Sequence, residues 1–145
     1  MKRSRTFLEQ LRRNAVALIS LTIAVSTLSY STWRNEKSEV NRNHRQAAFE
    51  ILLKLNEFQQ VVFHHRYDQD ESDKGNPRLG WTYVLTIRDL SLILEPPLPQ
   101  DANKLLMVWD EKWPELGEKQ ENVDAVLESV DAMRDSILAL LTSLD

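Results

Sequence analysis

The longest uncharged stretch of the chain lies between Arg13 and Arg34 and reads NAVALISLTIAVSTLSYSTW. Twenty helical residues extend about 30 Å, which matches the hydrocarbon thickness of a bilayer. Seven serine and threonine residues lower its hydropathy, but their hydroxyls can hydrogen-bond to carbonyls of the same helix. Tyr30 and Trp33 stand near its end, where interfacial aromatic residues are common. Residues 14–33 are therefore predicted to form a transmembrane helix.

A cleaved signal peptide is the competing interpretation of this stretch. Its apolar part would cover residues 15–25, and Ala24-Val25-Ser26 would supply a cleavage site of small residues before Thr27. The region that precedes the apolar part is long for a signal peptide, and apolar residues resume beyond the site. These two features favour an uncleaved signal anchor. Both interpretations send the remainder of the chain across the membrane.

Charged residues are distributed unequally around the stretch. The chain has 18 basic and 22 acidic residues. Five of the basic residues and one of the acidic residues lie in residues 1–14, which leaves 13 basic and 21 acidic residues in the rest of the chain. The cations that follow the stretch closely are Arg34, Lys37, Arg42 and Arg45. Moving the five-cation tail outward would cost about 2.3 kcal/mol per charge for every 100 mV of membrane potential. Residues 1–13 are thus predicted to be a cytoplasmic tail. Residues 34–145 are predicted to lie outside the cytoplasm. If the source is a Gram-negative bacterium, this location is the periplasm and the anchor lies in the inner membrane.

Apolar residues at helical spacing follow the membrane segment. The first stripe consists of His44, Ala48, Ile51, Leu55, Phe58, Val62 and His65. Gly75 and Pro77, in the run DQDESDKGNP, end this pattern. The next segment extends from Leu79 to Glu95 and stops at the prolines of residues 96–99. Its WTYVLTI is strand-like in residue type, but no second candidate strand exists to pair with it, so a buried helix is predicted.

Two more helical segments complete the chain. The third opens near Asp101, and Pro114 kinks or ends it. Its apolar face holds Leu105, Trp109, Trp113 and Leu116. The apolar stripe of the last consists of Val123, Val126, Val130, Met133, Ile137, Leu140 and Leu144. A second, acidic stripe consists of Glu121, Asp124, Glu128, Asp131 and Asp135. The chain is predicted to be all-α, with an N-terminal transmembrane helix running into an extracytoplasmic antiparallel bundle of three to four helices.

Several short runs carry a resemblance to known proteins. They are TWRNE (32–36), NRNHRQAAFE (41–50), YDQD (67–70), GNPRLGW (75–81) and IRDLSLIL (87–94). With these runs the chain resembles a group of small, uncharacterised single-pass inner-membrane proteins of Gram-negative bacteria. The similarity covers nearly the whole chain and implies the same topology. It implies no activity and no catalytic residue.

Motifs that carry chemistry are missing from the sequence. It contains no G-x-S-x-G, H-E-x-x-H, Walker or dinucleotide-binding motif. Asn41, Val61 and Val62 stand three residues before the histidines, so the Glu-x-x-His pairs of a di-iron bundle are missing. The acidic part beyond residue 14 lacks the clustered cations that bind nucleic acid. No catalytic residue, no cofactor and no enzymatic activity are expected, and nucleic acid is not an expected partner.

A metal site is the one chemical hypothesis that the histidines raise. His64 and Asp68 are one helical turn apart, a spacing that allows them to share a divalent ion with His65 beside them. A helix end is the alternative, in which His and Arg side chains oppose the negative end of the helix dipole before a solvated acidic loop. The sequence favours this alternative, so the histidines remain weak metal candidates.

The remaining candidates concern binding. Three tryptophans would either line an apolar ligand pocket or fill the hydrophobic core, and the core position is favoured: Trp81, Trp109 and Trp113. Arg34, Asn35 and Arg42 belong to a polar collar beside the membrane segment. The expected function is a membrane-anchored interaction or scaffold protein. Its expected partners are the lipid bilayer and either a membrane or periplasmic protein or a second copy. The alternative is a ligand-sensing bundle that needs a separate output partner.

Overall fold

The computed structural model describes residues 3–144, with side chains for residues 10, 12 and 14–144. These residues form four α-helices and one 3-10 helix and contain no β-strand. The elements are α1 (Arg3–Tyr67), α2 (Pro77–Ser91), α3 (Leu98–Lys112), a 3-10 helix (Trp113–Glu115) and α4 (Gln120–Ser143). The prediction of an all-α chain is confirmed. Residues 1 and 2 of the predicted cytoplasmic tail and residue 145 of the predicted bundle lie outside the described residues.

Helix α1 contains the whole predicted membrane segment. Within the described part of the chain, α1 is the one helix long and apolar enough to cross a membrane. Large apolar side chains of residues 14–33 are exposed on every side of it, from Val16 to Trp33. The hydroxyls of Thr22, Thr27 and Thr32 donate to the carbonyls four residues before them at 2.8 to 2.9 Å. The expected hydroxyl bonding is therefore confirmed for these three threonines, and their hydroxyls need no water to be satisfied.

A compact unit with its own hydrophobic core begins at Asn41, and the segment up to Val40 is a separate unit. All four helices contribute to this core. From α1 and α2 it takes Ala48, Ile51, Leu55, Phe58, Val62, Val84 and Ile87. From α3 and α4 it takes Leu98, Ala102, Leu105, Trp109, Val123, Val126, Val130, Met133 and Ile137. The first predicted stripe is thus buried, apart from the half-buried His44.

Helix boundaries follow from local capping. The side chain of Asn76 accepts a hydrogen bond from the Arg78 amide at 3.0 Å, and Pro77 occupies the first helical position of α2. This segment, including WTYVLTI, is helical as predicted, although α2 ends at Ser91 rather than near residue 95. Helix α3 begins at Leu98 and not near Asp101. Prolines are compatible with a first helical turn, whose amides have no intrahelical acceptor.

The last helix shows the two predicted faces. Val123, Val126, Val130, Met133 and Ile137 are fully buried, while Leu140 and Leu144 at its end are half-buried. The five carboxylates of the acidic stripe are all exposed. Pro114 does not kink α3, because α3 ends at Lys112 and Pro114 lies in the 3-10 helix that follows.

Candidate functional site

The metal candidates lie at the C-terminal end of α1, where they separate into two environments. Nδ1 of His64 lies 2.5 Å from Oδ2 of Asp68, and both side chains are partly exposed. His65 is buried, and its Nδ1 lies 3.0 Å from the Gly75 carbonyl oxygen. The structure therefore pairs His64 with Asp68 and directs His65 elsewhere. Among the side chains that the structure describes, those of residues 10, 12 and 14–144, no group of three or more His, Asp or Glu is placed to hold a metal ion.

His65 and its neighbour Arg66 connect α1 to two other parts of the chain. A Cβ atom added to Gly117 would lie 3.3 Å from Nε2 of His65, so the ring fits closely between Gly75 and Gly117. Arg66 donates from Nη1 to the Gly117 carbonyl and from Nε to Gln120 at 3.4 Å. The last turn of α1 is thus attached to the loop before α2 and to the connection between α3 and α4. We call these contacts the histidine junction.

Asp70 organises the loop between α1 and α2. Its carboxylate accepts hydrogen bonds from the amides of Ser72, Asp73 and Lys74 at 3.0 Å and from Gly75 at 3.4 Å. These donors, led by the Asp73 amide, lower the pKa of the Asp70 carboxyl from 3.8 to about 2. The carboxylate therefore has a structural role, because it replaces the backbone acceptors that this loop lacks.

The three candidate tryptophans, Trp81, Trp109 and Trp113, are not all buried to the same extent. Trp109 is fully buried, and its ring meets Phe58 edge-on at 5.0 Å between centroids. Trp81 lies 6.5 Å from Trp109, and both Trp81 and Trp113 pack half-buried against the core. Trp109 therefore belongs to the core and presents no surface to a partner. A groove of about 370 Å³ between α3 and α4 is lined by other residues, including Val108, Ala125 and Ala132.

The three collar residues are exposed side chains of α1. Arg34 and Asn35 belong to the unit that ends at Val40, and Arg42 belongs to the unit that begins at Asn41. Trp33, directly before the collar, lies 6.1 Å from Tyr30, and the ammonium of Lys37 lies 4.8 Å from its ring centroid. An aromatic pair beside a cation is typical of the bilayer interface.

A second face of α1 was missed by the sequence analysis. Six uncharged residues at intervals of four and three are all exposed. We call them the outer face of α1: Phe49, Leu53, Asn56, Gln60, Phe63 and Tyr67. The same periodicity that identified the buried stripe would have identified this one, because both repeat over the same helix.

No protein family, curated protein or solved structure matches this chain.

Proposed function

We propose that the chain is a single-pass inner-membrane protein without enzymatic activity, which presents a helical domain in the periplasm for contact with other proteins. The apolar segment within α1 carries this proposal. Large apolar side chains exposed around a helix are unfavourable in water and favourable in lipid. The three internally bonded threonine hydroxyls add support, because a polar group in lipid needs a partner within the protein.

The domain that begins at Asn41 supports the second half of the proposal. Its core is fully buried and takes side chains from every helix. The helices follow one another through short connections, which favours an antiparallel bundle. Two polar clusters, the histidine junction and the Asp70 loop, consist of hydrogen bonds that connect the ends of the helices and the loops between them. This arrangement is suited to presenting a surface rather than to holding a reacting substrate.

Orientation is proposed from the charges. The tail before the apolar segment has five cations within 14 residues, and the domain after it is acidic. Alkaline phosphatase fused after residue 144 should be active, because this reporter folds in the periplasm, and green fluorescent protein at the same position should be dark. Deletion of residues 14–33 serves as the matched control and should abolish phosphatase activity. A bright fluorescent fusion with an inactive phosphatase fusion would refute the orientation.

Anchoring requires a separate measurement. Protein recovered from membranes washed with alkaline carbonate should retain residues 1–26 when its mass is determined. A mature chain that starts near Thr27 would instead identify a cleaved signal peptide.

Purification of the full chain in mild detergent should then yield a complex with a protein partner or with a second copy. A monomer that retains a small molecule at unit stoichiometry would favour the ligand-sensing alternative.

A further inference from the structure

The outer face of α1 is unusually apolar for a solvent-exposed helix surface. Phe49 and Leu53 are each 57% exposed, Phe63 is 38% exposed and Tyr67 is 61% exposed. The two other members, Asn56 and Gln60, are exposed and uncharged. Intervals of four and three over these residues follow the seven-residue repeat of a coiled coil. From Phe49 to Tyr67 the helix extends about 27 Å, which covers more than two such repeats.

Charges flank the outer face unequally. On one flank lie Glu50 and Glu57, 47% and 43% exposed, with the more buried Lys54 between them at 26%. On the other flank lie two arginines that hydrogen bonds hold beside the face. Arg134 of α4 donates to Asn56 and Gln59 at 3.0 Å, and Arg45 donates to the Leu144 carbonyl at 2.6 Å. Each flank also contains an opposite charge, because Lys54 lies 2.8 Å from Glu57 and Asp131 lies 3.3 Å from Arg134. Two glutamates and one lysine leave the first, acidic flank with a net charge of −1, and two arginines and one aspartate leave the second, basic flank with +1.

Two-fold symmetry makes this face complementary to itself. When two identical helices pack in parallel, the acidic flank of each lies against the basic flank of the other, and Arg45 and Glu50 occupy positions that pair across such an interface. Antiparallel packing would bring the two acidic flanks together, which is unfavourable. The charges therefore select the parallel arrangement.

We infer that the outer face of α1 binds a second copy of this chain, in parallel, as a two-stranded coiled coil over residues 49–67. The inference rests on the proposed function, because it specifies the protein partner of the anchored domain. Asn56 and Gln60 have a defined part in it. They occupy neighbouring core positions of the repeat, where polar residues lower the stability of a coiled coil but disfavour a shifted register, because a shift would place them against apolar residues.

Disulfide crosslinking in native membranes tests the inference, since the chain contains no cysteine. Leu53→Cys and Gln60→Cys would each place a thiol opposite its own copy, within the Cα separation of about 4.4–6.8 Å that a disulfide requires. Both side chains are exposed, so neither substitution touches the core. Glu128→Cys, on the exposed acidic face of α4, is the matched control. Copper phenanthroline should crosslink the first two variants into a species of twice the chain mass and leave the control monomeric.

A charge substitution tests the same interface differently. Leu53→Glu, combined with Gln60→Cys, buries like charges at the interface and should lower the crosslinked fraction roughly tenfold. Absence of crosslinking at both positions, equal crosslinking of the control, or a product with another protein's mass would refute the second copy as partner. Each sample is also scored for membrane retention after a carbonate wash. Retained protein without crosslinks refutes the dimer alone, whereas protein lost from the membrane refutes the proposed function.

Discussion

Asp70 shows how one side chain replaces missing secondary structure. Gln69, the residue before it, has a left-handed backbone with φ of 53°, just after α1 ends at Tyr67. The amides of residues 72–75 would point into the turn without acceptors, and the Asp70 carboxylate accepts all four. These hydrogen bonds favour the ionised carboxylate, so the folded loop and the charge of Asp70 stabilise each other.

Stability should therefore depend on pH through Asp70. The pKa of this carboxyl falls from 3.8 to about 2 in the folded protein. The folded state consequently binds the Asp70 proton more weakly than the unfolded state. The stabilisation is fully present above pH of about 4 and is lost as the pH falls through about 2. We expect Asp70→Asn to lower the Tm by a few degrees at pH 6 and to have little effect at pH 2.

The control for this prediction is Glu71→Gln. Glu71 is exposed in the same loop and takes no part in the four hydrogen bonds of the Asp70 carboxylate. In thermal unfolding of the detergent-purified chain, followed by circular dichroism between pH 2 and 7, Glu71→Gln should retain the loss of stability at low pH that Asp70 causes in the unsubstituted chain. A Tm difference for Asp70→Asn that stays constant over this range would contradict the role of the carboxylate.

Helices α2 and α3 meet at a point where a glycine of α2 lies against an indole of α3. A Cβ atom on Gly80 would lie 2.9 Å from Cη2 of Trp109 and closer still to Cζ2. Trp109 is fully buried between Phe58 and α2, so its ring has no room to move away. Glycine normally lowers helix stability by about 0.5–1 kcal/mol relative to alanine. At this position the missing side chain allows the indole to pack against the α2 backbone.

Gly80→Ala should lower the free energy of unfolding by about 1–3 kcal/mol, because overpacking outweighs the gain in helix propensity. Chemical denaturation of the detergent-purified chain measures this change. The matched control places Gly80→Ala in a Trp109→Phe background, which lacks Cζ2 and Cη2 of the indole. There the alanine should be neutral or stabilising. Nε1 of Trp109 has no hydrogen-bond partner among the described residues, so the control loses no hydrogen bond. An equal loss in both backgrounds would contradict the proposed clash.

Spacing alone was enough to predict the buried stripe of α1 and the two faces of α4, because each repeats within one continuous helix. The start of α3 was placed three residues late, since Pro97 and Pro99 were interpreted as helix breakers although Leu98 between them is fully buried. The contacts of His65 with Gly75 and Gly117 were not predictable. They join residues ten and more apart in sequence and depend on how separate helices meet.

Large apolar residues occupy two contrasting environments along the chain. In residues 14–33 they are exposed on every side of α1, whereas beyond residue 41 many of them, such as Phe58, Trp109 and Ile137, are fully buried in a core. Such a division is unfavourable for a chain that is entirely in water, because the exposed segment gains nothing from burial. It is favourable when lipid surrounds the first segment, and the proposed anchoring follows from this difference.

One substitution near the middle of residues 14–33 tests the contrast. Ile23 is 61% exposed and Ile93, in the connection between α2 and α3, is 56% exposed. By exposure alone, arginine should be tolerated equally at both positions. If lipid covers Ile23, Ile23→Arg costs about 2.5–3.5 kcal/mol of insertion free energy. This cost is large for a segment that already contains seven serine and threonine residues. The carbonate-resistant fraction should fall sharply for Ile23→Arg and stay unchanged for Ile93→Arg. Equal retention of the two variants would mean that the apolar segment does not lie in the membrane.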